Sequence, residues 1–252
     1  MPTARDPRPR SQQIAAELRA DIMAGDLPPG QQLLSTGELS EKYDASGATI
    51  QNALGILKSE GYLEGRPGKG VFVRPNQQQT ITPADYATPA AAGQPYAWIT
   101  AAAERGQRGA YRLLDVAEVP APVQVAAAFS VEAGSPVIRR AQLGTLDDEP
   151  VELVHTYYPA DLARGTALAV KRLIKGGSPA VLAGLGLEPA SFEDVISTRP
   201  PTSEEFVALE LPTEVPILRT FRVAVAASGR PVECQVMVKA GHRHEVRYRW
   251  PS

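Results

Sequence analysis

Polar side chains of two chemical kinds stand close together in the first third of the chain. Thr49, Gln51 and Asn52 carry hydroxyl and amide groups, and Arg66 and Lys69 follow among glycines. Amides and hydroxyls form hydrogen bonds with base edges in the major groove, and Arg and Lys bind phosphates. The sequence therefore predicts an interface for double-stranded DNA, and a module that binds another protein is the alternative.

The residues before these polar groups predict two helices. Ile14, Leu18 and Ile22 recur every four residues, which is typical of an amphipathic helix with one buried face. Ser35 and Glu38 have the spacing of a capping box and mark the start of a second helix. Both helices precede the polar run, so they can support it.

A third helix and a hairpin complete the predicted unit. Ser46 can cap a helix whose apolar stripe is Ile50, Leu54 and Leu57. Residues 62–65 and 71–74 predict two strands around a Gly-rich turn. Three helices followed by a hairpin form a winged helix-turn-helix, in which the third helix enters the major groove.

The predicted DNA contacts fall on the third helix, on the caps before it and on the hairpin. We expect Gln51 and Asn52 to read bases, with adenine as the natural partner of an amide. Phosphate contacts are expected from Thr49, Lys58, Arg66 and Lys69. The full predicted set is Ser35, Ser46, Gly47, Thr49, Gln51, Asn52, Lys58, Arg66, Gly68 and Lys69. The alternative is that Gln51 and Asn52 are ordinary solvated residues of a helix surface.

This part of the chain resembles the GntR family of bacterial transcription regulators. The resemblance is carried by five segments, residues 25–30, 33–39, 46–54, 57–63 and 68–73. It implies a winged helix-turn-helix that binds DNA.

The chain departs from the family at the positions that usually face DNA. The resemblance aligns three usual arginines with Gly37, Gly47 and Gln51, and a common proline and glutamate with Leu34 and Thr36. Arg forms bidentate contacts with guanine and strong contacts with phosphate. Losing three arginines per subunit should weaken electrostatic binding and change the preferred bases.

Charge and composition limit the class of protein. Residues 1–75 hold nine Lys or Arg and nine Asp or Glu, and the whole chain has a net charge of −2, so any DNA contact depends on local charge placement. No apolar run reaches the ~18 residues of a membrane span. Residues 1–10 lack the apolar core of a secretory signal and predict a flexible tail. The single cysteine, Cys234, excludes an internal disulfide and fits a reducing cytoplasm.

The composition changes after residue 74. Residues 75–94 are rich in Gln, Ala, Pro and Thr and lack apolar periodicity, which predicts a mobile linker. We therefore expect a first domain at residues 8–74, a linker at 75–94 and a second domain at 95–250.

The second domain shows strands in pairs. A helix is predicted at 98–105, and strands at 137–147 and 151–159 flank a turn at Asp147-Asp148. A similar pair at 215–227 and 232–239 follows, and helix-like stretches at 122–129 and 203–211 precede the two pairs. The pattern predicts a duplicated helix-hairpin unit and an antiparallel sheet with helices, so the fold class is α+β.

Residues 94–250 resemble the UTRA effector domain of the HutC-like GntR subfamily. The resemblance rests on residues 136–137, 147–151, 157–159, 216–219 and 229–233. It implies a chorismate-lyase-like fold that binds a small molecule and pairs into a homodimer. A dimer is also what a palindromic operator requires.

The effector is expected to differ from a sugar phosphate. Relatives that bind sugar phosphates have two arginines that align with Gln142 and Gly144, and a glutamate that aligns with Val154. We expect a less cationic pocket that takes a neutral or amine-bearing ligand. The predicted effector set is Gln142, Thr156, Tyr158 and Glu233. Ordinary sheet surface or core is the alternative for each, and Arg139 or Arg140 would restore an anion site only with a shifted register.

Two rival functions are weaker. An enzyme would need catalytic groups, yet Cys234 has no evident His partner and His242 and His244 lack further metal ligands nearby, so no catalytic residue, metal or cofactor is expected. The chain is also too short for the GntR branch with a pyridoxal-phosphate-binding domain. The second rival is a constitutive repressor whose second domain only dimerises. We expect a repressor that a small molecule releases.

Overall fold

Three helices and a short hairpin form the first part of the computed structural model, which describes residues 6–75, 79–82, 97–174, 177–213 and 215–249. The elements are α1 (Arg10–Ala24), α2 (Thr36–Tyr43), α3 (Gly47–Ser59), β1 (Leu63–Arg66) and β2 (Gly70–Val73). They belong to the first of two compact units, Met1–Gln77 and Gln78–Ser252. This confirms the predicted winged helix-turn-helix.

The apolar stripes of the helices close one core, as the spacing predicts. Ile14, Leu18, Ile50, Leu54 and Leu57 are all buried in a single cluster. Burying such side chains gives about 1.5–3 kcal/mol each, which offsets the ordering of three short helices. The exposed side of α3 is thereby fixed.

Side-chain caps and a turn define the helix ends at the expected residues. Ser35 and Glu38 form both bonds of a capping box, and Ser46 accepts a bond from the Thr49 amide. Between them Asp44 has φ 46°, a left-handed turn conformation that Asp tolerates. The hairpin has a third strand partner, because the amide of Leu33 donates to Val71 and Val73 donates back to Gln31.

A short strand follows the first unit. Gln79–Ile81 forms β3, which pairs in parallel with β10 (His244–Val246), and Thr80 Oγ1 donates to Glu245 at 2.5 Å. The expectation of a linker without regular structure over 75–94 is therefore wrong for these three residues. Their partner lies far along the chain, where local composition gives no signal. Residues 76–78 and 83–96 lie outside the described residues.

The second unit is built on a six-stranded antiparallel sheet in the order β4-β5-β6-β9-β8-β7. Its strands are β4 (Gly109–Pro120), β5 (Pro136–Leu146), β6 (Glu149–Pro159), β7 (Pro189–Arg199), β8 (Ile217–Ala226) and β9 (Pro231–Ala240). Its helices are α4 (Ala97–Glu104), α5 (Val123–Phe129), α6 (Ala160–Ala163), α7 (Gly177–Gly184) and α8 (Ser203–Ala208), with 3-10 turns at Ala167–Ala169 and Gly241–Arg243. The α+β class is confirmed.

The unit repeats one pattern twice. The elements α4, β4, α5, β5 and β6 recur as α7, β7, α8, β8 and β9, and the strand order is symmetric about the β6–β9 pair. The sequence predicted only the helix-hairpin part and missed α7 and β7. Asp147 and Asp148 have φ 51° and 70°, the pair of positive values that a two-residue hairpin turn needs.

The two faces of the sheet differ in polarity. One face packs against α5 and the segment after α8 through apolar clusters that include Tyr157, Phe221 and Leu211. The other face carries buried polar side chains, namely Arg140, Gln142, Glu152, Thr156, Thr220, Arg222 and Glu233. Buried polar groups need partners, so this polar face is where a ligand site is to be sought.

Candidate functional site

The exposed face of α3 carries the side chains predicted to read bases. Gln51 and Asn52 are exposed and Thr49 is half-buried. Ser46 Oγ lies 2.9 Å from Thr49 Oγ1, so the cap also fixes the threonine hydroxyl. Amides and hydroxyls are thus held at the start of the helix, where a recognition helix contacts base edges.

The first turns of α2 and α3 lie side by side. Gln51 Nε2 donates to Thr36 Oγ1 at 2.8 Å. A Cβ placed on Gly47 would lie 3.8 Å from Thr36 Cγ2. Two helix N-termini, each with its amides and its positive dipole end, therefore meet at this surface. The structure brings Ser35, Ser46, Gly47, Thr49 and Gln51 together there.

The two cationic residues of the hairpin, Arg66 and Lys69, have different interactions. Arg66 forms an ion pair with Glu64 at 2.8 Å and lies over the Phe72 ring at 4.3 Å. Gly68 has φ 69° and leaves the tip without a side chain. The carbonyl of Lys69 accepts a 2.7 Å bond from Gln32, which anchors the tip. Glu64 therefore offsets the charge that Arg66 was predicted to offer to a phosphate.

Lys58 and Lys69 remain as exposed cations of this surface. Neither forms an ion pair within the described residues. Lys58 Nζ reaches the hairpin, since a Cβ on Gly65 would lie 3.7 Å from it. By contrast, Arg19 is committed to Glu60 at 2.7 Å and Arg10 to the Tyr43 carbonyl at 2.9 Å. Local placement thus leaves a small positive surface on a unit of balanced charge.

The four predicted effector residues all lie on the polar face of the sheet. Gln142 and Thr156 are buried near its middle. Glu233 accepts a 2.6 Å bond from Ser178 Oγ and a bond from the Tyr158 hydroxyl. Burial raises the pKa of Glu233, and these bonds and Arg222 oppose the rise. Tyr158 and Glu233 are therefore engaged with each other and with α7.

Neither candidate arginine offers an anion site. Arg140 is buried and donates to the carbonyls of Leu168, Val170 and Arg172 at 2.6–3.0 Å. Arg139 lies on the opposite face and bonds Asp115 at 3.1 Å. Arg140 clamps the chain after α6 onto the sheet, which is a structural role.

A cavity opens at the other end of the polar face. It encloses about 590 Å³, counting the part open to solvent, and ten residues line it: Gln79, Thr80, Ile81, Trp98, Arg105, Tyr111, Val151, Glu152, Lys239 and His244. Glu152 and Tyr158 are six residues apart on β6, about 20 Å, so the cavity is far from the Tyr158–Glu233 pair.

A buried ion pair forms the floor of the cavity. Lys239 on β9 pairs with Glu152 on β6, its direct neighbour in the sheet. The Tyr111 hydroxyl donates to the same carboxylate at 3.1 Å. The Trp98 ring stands edge-on to Tyr111 with centroids 5.1 Å apart. These residues are not among those predicted from the sequence, although Glu152 and Lys239 are charged residues within apolar strands, which is a recognisable signal.

His244 closes one side of the cavity in its neutral form. Its Nδ1 lies 2.9 Å from the Ala240 carbonyl. Burial lowers the pKa of His244 to about 3, and the positive charge of Lys239 acts in the same direction. With Nδ1–H donating to the carbonyl, Nε2 is an acceptor at neutral pH.

Other reactive groups show no catalytic arrangement in the described residues. Burial raises the pKa of the Cys234 thiol to about 12, so it is not a nucleophile at neutral pH. No group of three or more His, Cys, Asp or Glu within this part of the chain could hold a metal ion. None of the described helices is both long and apolar enough to cross a membrane.

The comparisons agree with this geometry. The profile of the gntR family of bacterial regulatory proteins matches residues 10–73, and that of the UTRA domain matches residues 104–245. SCO4628 of Streptomyces coelicolor, named as an uncharacterized HTH-type transcriptional regulator, is 28% identical over 248 residues, 95% of this chain and 92% of that protein.

A named repressor and a solved structure are also similar. The HTH-type transcriptional repressor NagR of Bacillus subtilis is 26% identical over 162 residues, 62% of this chain and 60% of NagR. The crystal structure of PhnF from Mycobacterium smegmatis shares the fold with a TM-score of 0.58 at 22% identity, over 95% of this chain and 99% of that chain. The chain belongs to the gntR family of bacterial regulatory proteins, and it is a DNA-binding transcription regulator of the HutC-like branch with a UTRA domain.

Proposed function

We propose that this regulator is a homodimeric repressor in the bacterial cytoplasm, and that a small molecule bound in the cavity releases it from a palindromic operator. The observation that carries this is the place of β3. Gln79, Thr80 and Ile81 line the cavity, and they follow directly on the unit that ends at Gln77. A ligand in the cavity touches the chain where it enters the second unit.

The mechanism is thermodynamic linkage. If the ligand prefers a state of the second unit in which the two heads of a dimer do not match the half-site spacing, operator affinity falls by the ratio of the ligand affinities for the two states. NagR, a relative named as a repressor, supports repression over activation. The predicted set Gln142, Thr156, Tyr158 and Glu233 stays a prediction, and the cavity is the site proposed here.

At the DNA surface, Gln51 and Asn52 read bases, while Thr49, Lys58 and Lys69 hold phosphates. The exposure of Gln51, Asn52, Lys58 and Lys69 and the fixed amide of Gln51 support these roles. Arg66 contributes less than the sequence predicts, because Glu64 shares its charge. The backbone can approach the DNA closely at the capping residues Ser35 and Ser46 and at the glycines Gly47 and Gly68.

Fluorescence anisotropy with DNA from upstream of the gene, against a scrambled duplex and across a salt series, tests operator binding. Sequence-dependent binding that a small molecule abolishes supports the proposal. Sequence-dependent binding that no ligand of a broad metabolite panel changes favours the constitutive repressor instead. Equal, weak binding to both duplexes contradicts it, unless unbiased site selection recovers a different operator.

Two further readouts separate the rivals. Light scattering during size-exclusion chromatography gives the mass of the particle, and a monomer would contradict the homodimer. A ligand that is recovered unchanged after incubation supports a regulator, since an enzyme would convert it. The relatives are transcription regulators, which already disfavours catalysis.

A further inference from the structure

The two halves of the sheet hold two equivalent carboxylates in different surroundings. Glu152 follows the hairpin turn of the first half and Glu233 that of the second, and both lie on the polar face. Glu233 is enclosed by Ser178 of α7 and by Tyr158. Glu152 borders the cavity and is bonded by Tyr111 and Lys239. The first half of the sheet thus has an open space beside its carboxylate, where the second half has packed side chains.

The lining of the open half has one uncompensated positive charge. Its charged residues are Glu152, Lys239 and Arg105, and His244 is neutral because burial lowers its pKa to about 3. Glu152 balances Lys239. Arg105 is exposed at the cavity, and its side chain bonds only the Gln107 amide at 3.4 Å within the described residues. The field of the lining therefore favours one negative charge on an occupant.

The cationic groups of the lining have unused N–H donors. An ammonium has three N–H groups, and Lys239 uses one on Glu152 within the described residues. The guanidinium of Arg105 has further N–H groups to give. Glu152 already receives donors from Tyr111 and Lys239. An acceptor-rich group fits this arrangement, and the positive charge of Lys239 would repel an ammonium at Glu152.

Apart from the polar Gln79 and Thr80, the remaining walls are apolar or aromatic. Trp98 and Tyr111 form an edge-to-face corner, and Ile81 and Val151 line the cavity with them. Gly109 makes room for the indole, because a Cβ there would lie 2.9 Å from Cζ3 of Trp98. A compact apolar body packs against such walls.

We propose that the cavity binds a small monocarboxylate with an apolar body, whose carboxylate is recognised by Lys239 and Arg105. This rests on the proposed function, in which the cavity is the effector site. It departs from the neutral or amine-bearing ligand expected from the sequence. A phosphate dianion fits less well, since the carboxylate of Glu152 repels a second negative charge.

The test uses the full-length protein and four probes with one ring and different head groups: benzoate, benzamide, benzylamine and phenyl phosphate. Isovalerate serves as a second, aliphatic carboxylate. Calorimetry and thermal shift should show that at least one carboxylate binds, and that benzoate binds about tenfold more tightly than benzamide. Tightest binding of benzylamine, benzamide or phenyl phosphate, or binding of neither carboxylate at millimolar concentration, overturns the proposal.

Variants tie the binding to the named residues. Lys239→Met and Arg105→Gln should weaken benzoate binding, Lys239→Arg should retain part of it, and Glu152→Gln should strengthen it by freeing the ammonium. Glu152→Gln combined with Lys239→Met leaves Arg105 as the remaining charge of the lining and should reduce the preference for benzoate over benzamide, and adding Arg105→Gln should remove it. Arg112→Gln is the matched control, since Arg112 follows Tyr111 on β4, is exposed, does not line the cavity and should leave binding unchanged.

The failure of this inference and that of the proposed function are distinguishable. Carboxylate binding that leaves the operator complex intact contradicts the effector role but keeps the ligand class. Release of the operator by an amine or a phosphate contradicts the ligand class but keeps the regulator.

Discussion

Gln51 of α3 donates a 2.8 Å hydrogen bond from Nε2 to Oγ1 of Thr36, the first residue of α2. This bond fixes the plane of the amide and leaves one N–H and the carbonyl oxygen of Gln51 for another partner. An amide with a free N–H and C=O can pair with N6 and N7 of adenine in the major groove. The chain has therefore replaced a usual family arginine by a side chain positioned from the neighbouring helix.

Removing the side chain of Gln51 should weaken operator binding more than removing the hydroxyl of Thr36. Gln51→Ala should lower the affinity about 10- to 100-fold, the cost of one bidentate base contact. Thr36→Val should cost a few-fold, because the amide remains but loses its anchor. Anisotropy on the selected operator measures both. Ser59→Ala, at the far end of the same helix, is the control, and a Gln51→Ala protein that binds as the parent does would show that Gln51 is only a solvated residue.

Restoring the missing arginines should strengthen electrostatic binding. A Cβ on Gly37 or Gly47 meets nothing closer than 3.8 Å, and neither residue has a positive φ, so Gly37→Arg and Gly47→Arg fit the fold. Each new phosphate contact should steepen the slope of log affinity against log salt by about 0.9. Gly37→Gln and Gly47→Gln are the uncharged controls. An unchanged slope in the Arg variants would place these positions away from the backbone of the DNA.

The first unit follows closely from the sequence, because its signals are local. The capping box at Ser35 and Glu38, the cap at Ser46 and the stripe of Ile50, Leu54 and Leu57 all act within one or two helical turns. The pairing of Arg66 with Glu64 spans only two residues, yet it was missed. Residues two apart on one strand share a face, but the predicted strand ended at residue 65, whereas β1 extends to Arg66.

The position of the cavity could not be predicted from local sequence signals. Glu152 and Lys239 are 87 residues apart and meet only because β6 and β9 are neighbours at the centre of the sheet. Trp98 enters through a helix, and Gln79–Ile81 through a strand whose partner begins at His244. Resemblance pointed to positions such as Gln142 and Glu233 on the correct face, whereas the place of the open space depends on packing between distant segments.

The ion pair between Arg19 and Glu60 should matter for the stability of the first unit. Glu60 Oε1 lies 2.7 Å from Arg19, and its side chain is 6% exposed against 28% for Arg19. Arg19→Met would remove the charged partner of a buried carboxylate and should cost about 3 kcal/mol, the low end for breaking a buried pair. Urea unfolding followed by circular dichroism measures it.

Two companion variants show whether charge is the cause. Arg19→Met combined with Glu60→Leu removes both charges and should recover most of the loss. Asp6→Asn breaks the exposed pair with Arg8 and should change nothing measurable. A double variant as unstable as Arg19→Met alone would assign the effect to packing by the arginine stem.

Acid should destabilise the second unit through His244. Its pKa is about 3 in the folded state because the ring is buried, against an ordinary value near 6.5. Between these values the unfolded chain binds a proton that the folded protein does not, so stability is full above about pH 6.5 and falls as the pH drops. At pH 5 the loss is about 2 kcal/mol. His244→Asn keeps a donor for the Ala240 carbonyl and should remove this loss.

Glu233 should give stability the opposite pH dependence to that of His244, so it serves as the internal control. Burial raises the pKa of Glu233 above the usual carboxyl range, so the folded protein holds a proton that the unfolded chain releases, and stability falls as the pH rises. Glu233→Gln should therefore gain stability relative to the parent at higher pH, while His244→Asn gains at lower pH. Urea unfolding of both variants at pH 5 and pH 8 separates the two contributions. Equal pH dependence in the parent and in His244→Asn would mean that the ring of His244 is protonated in the folded state and finds a partner there.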